Sequence, residues 1–138
     1  MIHGGYWLIG DRKKCLAVCH VAQKLGYTVV SVGYDYANKE HPLSETIQEA
    51  IDGVQFSLDR FRNAKKVVIG GHSVGAHLAF QAVTRIHDPR ISGVFLSAGI
   101  YQLQELEYAN EDHFTILTEL TNEKSDVCMD FFNFLYSI

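Results

Sequence analysis

Val67-Val68-Ile69-Gly70-Gly71-His72-Ser73-Val74-Gly75-Ala76 holds a G-x-S-x-G pattern where a short β-branched run meets a helical one. Lys66–Gly70, with Val67-Val68-Ile69 at its centre, reads as a buried strand. Val74–Ile86 reads as a helix, and Asp88-Pro89 stops it because the residue before a proline is pushed out of the α region. A serine on the sharp turn between strand and helix projects its Oγ above the sheet. Gly71 and Gly75 leave room for the two elements to cross closely around that turn. The N–H of Val74, at the helix N-terminus, points where negative charge would develop on a substrate oxygen, and helix ends favour such charge. Ser73 is thus the candidate nucleophile. The plain alternative is a glycine turn with an incidental serine.

Outward from this turn, strand-like and helix-like segments alternate. Upstream, Arg12–Leu25 repeats Cys15, Cys19, Ala22 and Leu25 on roughly one helical face and ends at Gly26. Tyr27–Val32 reads as a buried strand between Gly26 and Gly33. A loop follows through Asn38, His41 and Pro42. A helix then carries Ile47, Ile51, Val54, Leu58 and Phe61, with Ser44 or Thr46 as its cap. Downstream, Ile91–Ser97 is a third strand. Alternation without tight hairpin signals predicts a parallel sheet flanked by helices, of α/β class. Beyond Tyr101 the pattern weakens: Glu105–Leu120 is helical in part and 121–138 shows no clear strand.

His3-Gly4-Gly5-Tyr6-Trp7 stands just before the first helix. Its glycines let the backbone approach a substrate oxygen with no side chain between. Gly4 and Gly5, with Tyr6 as a further candidate, join Val74 as oxyanion donors, each worth about 2.7–4 kcal/mol in a transition state. Two halves of one site, on the same edge of a parallel sheet, point to a serine hydrolase.

The 138 residues fit one domain, and the net charge of −4 argues against a nucleic-acid partner, which calls for a basic face. No apolar run approaches the roughly 20 residues of a membrane span. No secretory signal precedes His3, and the three cysteines, Cys15, Cys19 and Cys128, are an odd number, so a reduced cytoplasmic setting is expected. Cys15, Cys19 and His20 lack zinc-site spacing and read as packing or exposed residues. No sequence feature sets an oligomeric state.

His3-Gly4-Gly5-Tyr6-Trp7 together with Gly71-His72-Ser73-Val74-Gly75-Ala76-His77-Leu78 resembles the kynurenine formamidase (arylformamidase) family of α/β-hydrolases. Tyr34-Asp35 and Ser97-Ala98-Gly99-Ile100-Tyr101 add to the likeness, which covers roughly residues 1–120 and leaves 121–138 as a divergent tail. The resemblance implies an α/β-hydrolase fold, with His3, Trp7, Gly71 and Gly75 as motif residues. It implies hydrolysis of N-formyl-L-kynurenine to kynurenine and formate in tryptophan catabolism, through a formyl-enzyme on Ser73. It implies a small formylated aromatic amine as substrate and neither metal nor organic cofactor. In the family pattern strands precede the HGG loop, and a triad Asp and His follow late. This chain is accordingly expected to be a truncated member, a single incomplete domain over 1–138. His113 then becomes the base candidate, with Glu105 or Glu107 as its acid, because it follows the third strand and emerges on the site's edge. His77 lies one helical turn beyond Ser73, His87 falls at the opposite edge, and His72 reads as structural. The competing readings are a general carboxylesterase and a catalytically inactive pseudohydrolase that binds a ligand or partner.

Overall fold

A computed structural model describes residues 1–100. A single 3-10 turn, Arg12–Cys15, leads into α1 (Leu16–Lys24); α2 (Leu43–Arg60), β1 (Val67–His72), α3 (Val74–Arg85) and β2 (Ile91–Ser97) follow. β1 and β2 pair in parallel from Val67↔Ile91 to His72↔Ser97. Ile2 bridges in parallel to Gly71 on one side and to Val32 on the other. The order across the sheet is therefore Val32, Ile2, β1, β2, all running the same way.

Faces alternate along each of these segments, as a period of two requires. Ile2, Val30, Val32, Val67 and Ile69 turn toward α2 and α3, while Met1, Val29, Val68 and Phe95 turn toward α1. Both faces are covered, which is why these runs read as continuous apolar stretches rather than polar–apolar alternations. Leu78, Ala79 and Ala82 of α3, fully buried, meet Ala50, Ile51, Val54 and Leu58 of α2 over the first face.

The expected strand Tyr27–Val32 is reduced to the bridge at Val32. Two bonds make the pairing: Val32 N–H donates to the Met1 carbonyl at 2.8 Å, and the Met1 ammonium donates to the Val30 carbonyl at 2.7 Å. The alternation of faces survives: Val30 and Val32 pack on one side of the sheet, Tyr27 and Val29 on the other. The cap of α2 also differs. Pro42 takes the N-cap position at φ −68° and ψ 155°, without a side-chain cap bond. Proline's fixed φ suits a helix start. Thr46, already inside the helix, donates its hydroxyl to the Asp35 carbonyl at 3.0 Å instead. The 3-10 turn ahead of α1 starts where Asp11 accepts the Lys13 N–H at 2.6 Å, and Gly26 at φ +86° follows the end of α1. Cys15 and Cys19 are buried free thiols on its inner face.

Candidate active site

Ser73 sits at φ 57°, ψ −125°, between the last residue of β1 and the first of α3. A non-glycine residue held there costs of order 1–3 kcal/mol and persists only where its surroundings over-determine it. They do so here. The Ser73 N–H donates to the Ser97 carbonyl at 2.8 Å, continuing the β1–β2 ladder. The Ser73 carbonyl accepts from Ala76 and His77 at 2.9 and 3.2 Å, opening α3. One residue thus ends a strand and begins a helix, and its hydroxyl makes no cap bond to the helix.

Glycines make the crossing possible. A Cβ on Gly71 would overlap the Gly75 carbonyl, and a Cβ on Gly75 would overlap the Ile2 carbonyl and stand 2.6 Å from that of His3. The strand, the helix start and the segment feeding the HGG loop therefore touch backbone to backbone. Gly4 lies directly against the serine: a Cβ there would stand 3.0 Å from Ser73 Cβ and 2.9 Å from the His72 carbonyl. Gly5, at φ +136°, accepts from the N–H groups of Leu8 and Ile9 and so turns the loop back on itself. Tyr6 and Trp7 follow at φ 53° and 60°. Ser73, Gly4 and Val74 are thus brought together, with Gly5 adjoining.

His3 is buried and stacked on Tyr34, ring centroids 4.3 Å apart and 10° from parallel. Its Nδ1 lies 2.8 Å from the Gly4 carbonyl oxygen. Tyr34 donates its hydroxyl to the His3 carbonyl at 3.0 Å. Burial lowers the His3 pKa and raises that of Tyr34, so His3 favours the neutral ring and Tyr34 keeps its donor proton. Tyr36 donates to the Gly10 carbonyl and anchors the far end of the same loop. The role of Tyr34 as a brace for His3 was not legible in the sequence, because the two residues are 31 apart.

Trp7 is 8% exposed and meets His77 edge-on, centroids 5.7 Å apart at 81°. Burial first, then the charge of Arg85, lowers the His77 pKa. His72 is buried in the elbow. His87 lies between α3 and the start of β2, at the edge of the sheet opposite Ser73. His113, Glu105 and Glu107 lie outside the described residues. A histidine–carboxylate contact does occur at the start of α2, where His41 Nδ1 is 3.0 Å from Glu45. Neither His41 nor Glu45 belongs to the loops that carry Ser73 or Gly4.

Among the cavities bounded by the described residues, two bear on the site's surroundings. An apolar one of about 480 Å³, lined by Val30, Val54, Leu58, Val68 and Phe95, sits where β1 begins, away from the elbow. A polar one of about 510 Å³ borders His3 and Tyr34 and is lined by Arg12, Lys13, Asp35 and Glu49.

Residues 1–133 match the family described as alpha/beta hydrolase fold. The chain belongs to the alpha/beta hydrolase fold family. Two curated relatives agree in kind. This alpha/beta hydrolase is 36% identical over 118 residues to a kynurenine formamidase of Danio rerio, covering 79% of this chain and 39% of that protein. It is 30% identical over 117 residues to a kynurenine formamidase of Salmo salar, covering 80% and 40% respectively. The chain therefore spans about two-fifths of the length of these relatives. No solved structure matches it significantly. Among the described residues no helix is long and apolar enough to cross a membrane.

Proposed function

We propose that this alpha/beta hydrolase uses Ser73 as nucleophile to hydrolyse a formylated aromatic amine, with N-formyl-L-kynurenine as its substrate. The observation that carries the reading is Ser73 in its strained elbow with Gly4 packed on its Cβ. Strain of this kind clusters at active sites, and here it holds the buried Ser73 on the strand–helix turn where an α/β-hydrolase nucleophile stands. Attack of Oγ on the formyl carbon places the developing oxyanion between the N–H groups of Gly4 and Gly5 and that of Val74. The arylamine leaves with a proton, and water then releases formate from the formyl-serine. The small formyl group suits a serine crowded by the Gly4 backbone. The names of the two fish relatives support the substrate, and His113 is the proposed base.

The test is labelling of the full chain with a fluorophosphonate, read by intact mass, alongside release of kynurenine from N-formyl-L-kynurenine. Both signals are expected in the wild type and neither in Ser73→Ala. A folded wild-type chain that takes no label favours the inactive-hydrolase reading. A labelled chain that cleaves phenyl acetate faster than the formamide favours the carboxylesterase.

A further inference from the structure

The apolar cavity of about 480 Å³ at the start of β1 is separate from the elbow, and neither Ser73 nor Gly4 lines it. Val30, Val54, Leu58, Val68 and Phe95 give it an apolar floor. Cavities of roughly 300–1,000 Å³ lined in this way take small organic ligands.

The charges around it are of one sign. Arg60, Arg62 and Lys66 border the cavity, and among the described residues no Asp or Glu does. Both arginines are exposed, so they stand at the mouth rather than on the floor. Among the described residues neither has an ion-pair partner. Arg60 lies over the Phe61 ring, 5.7 Å from its centroid, and Arg62 Nε donates to the Asp59 carbonyl at 3.1 Å. The end of α2 does not depend on them for its charge. Its carbonyls at Leu58 and Phe61 accept from Arg90, which is itself paired with Asp88. Two guanidinium groups are thus left at the mouth of an apolar cavity. A guanidinium pairs with a carboxylate through parallel N–H···O bonds, and an apolar floor is best withdrawn from water by a hydrocarbon chain. One ligand meets both demands.

We propose that this cavity binds a free medium-chain fatty acid, its hydrocarbon chain against Val54, Leu58 and Val68 and its carboxylate at the mouth on Arg60 and Arg62. No bond is made or broken there, and Ser73 takes no part.

The test is calorimetric titration of the full chain at low salt with octanoate, decanoate and decanol. Affinity is expected to rise about fourfold per methylene, or roughly 15-fold from octanoate to decanoate. Decanoate is expected to bind about fivefold or more tighter than decanol, with the ratio falling as salt screens the solvated arginines. Arg60→Gln combined with Arg62→Gln, both surface changes, is expected to bring that ratio near one. A decanoic acid bearing a diazirine is expected to mark residues 54–69. A wild-type ratio near one, a ratio unchanged in the double variant, or marking confined to the elbow overturns the proposal. Absence of binding overturns it too, and sedimentation then separates the other occupants: a dimer points to a second copy on this face, a monomer to residues 101–138 of the same chain.

Discussion

Gly75→Ala adds one carbon where α3 starts, and the structure says what that carbon meets. The new Cβ would overlap the Ile2 carbonyl and stand 2.6 Å and 2.7 Å from His3 O and Ile2 C. These are backbone atoms of a segment held by bonds from Ile2 N–H to Gly70 and from Val32 N–H to Met1, each 2.8 Å. No side chain can rotate away, so the Ile2–His3 segment or the helix start must move. Overpacking of a close-packed interior costs roughly 1–3 kcal/mol, and a rigid backbone neighbour places this case at the upper end. Alanine returns up to ~1 kcal/mol as the better helix former. The net expectation is a loss of about 2 kcal/mol. With a urea slope of about 1–3 kcal/mol/M, the midpoint falls by roughly 0.7–2 M, read by far-ultraviolet circular dichroism. Gly53→Ala is the matched control in α2. Its Cβ would meet Val32 Cγ1 at 2.6 Å, a side-chain methyl that can turn aside, so its midpoint is expected to stay nearer the wild type. A Gly75→Ala midpoint equal to or above that of the wild type refutes the backbone-crossing argument.

Ser73→Gly removes both the hydroxyl and the penalty of a left-handed φ at 57°; it is expected to raise stability by about 1 kcal/mol or more while abolishing fluorophosphonate labelling, whereas a destabilised variant would deny that the elbow is strained. The His3 and His77 pKa values lie below the ordinary 6.5 in the folded chain, so the unfolded chain binds protons that the folded one refuses. Their contribution is fully present above pH 6.5 and is lost as the pH falls through the folded values. Urea midpoints are thus expected to decline below pH 6.5, and less so in His77→Gln; a midpoint flat from pH 7.5 to 5 contradicts the assignment.

The elbow was legible because its determinants are local. Gly71, Ser73 and Gly75 lie within five residues, and the sterics that demand small residues at a strand–helix crossing act at that range. β2 was read with its observed bounds for a similar reason, a short apolar run between Pro89 and Gly99. Other features depend on what lies across the fold. Tyr27–Val32 has the composition of a strand, but pairing depends on the segment set beside it across the fold, and of these residues Val32 forms the bridge. The α2 cap was sought among hydroxyls, yet the proline ahead of them already satisfied the geometry, which freed Thr46 for Asp35. The Trp7–His77 contact joins residues 70 apart. The trace it left was local: His77 at one helical turn from Ser73.

The seating of Ile2 makes strand register a ruler for the candidate site. Ile2 is locked between Val32 and Gly71, and Gly4 follows two residues later, against Ser73. Sliding this segment by one residue would carry Gly4 about 3.3 Å along the strand and send Ile2 to the α1 face. The height of the Gly4 loop above the serine is thus measured in whole residues. Within Ile2–Gly4, an insertion or deletion would disable the site more surely than most replacements of a side chain.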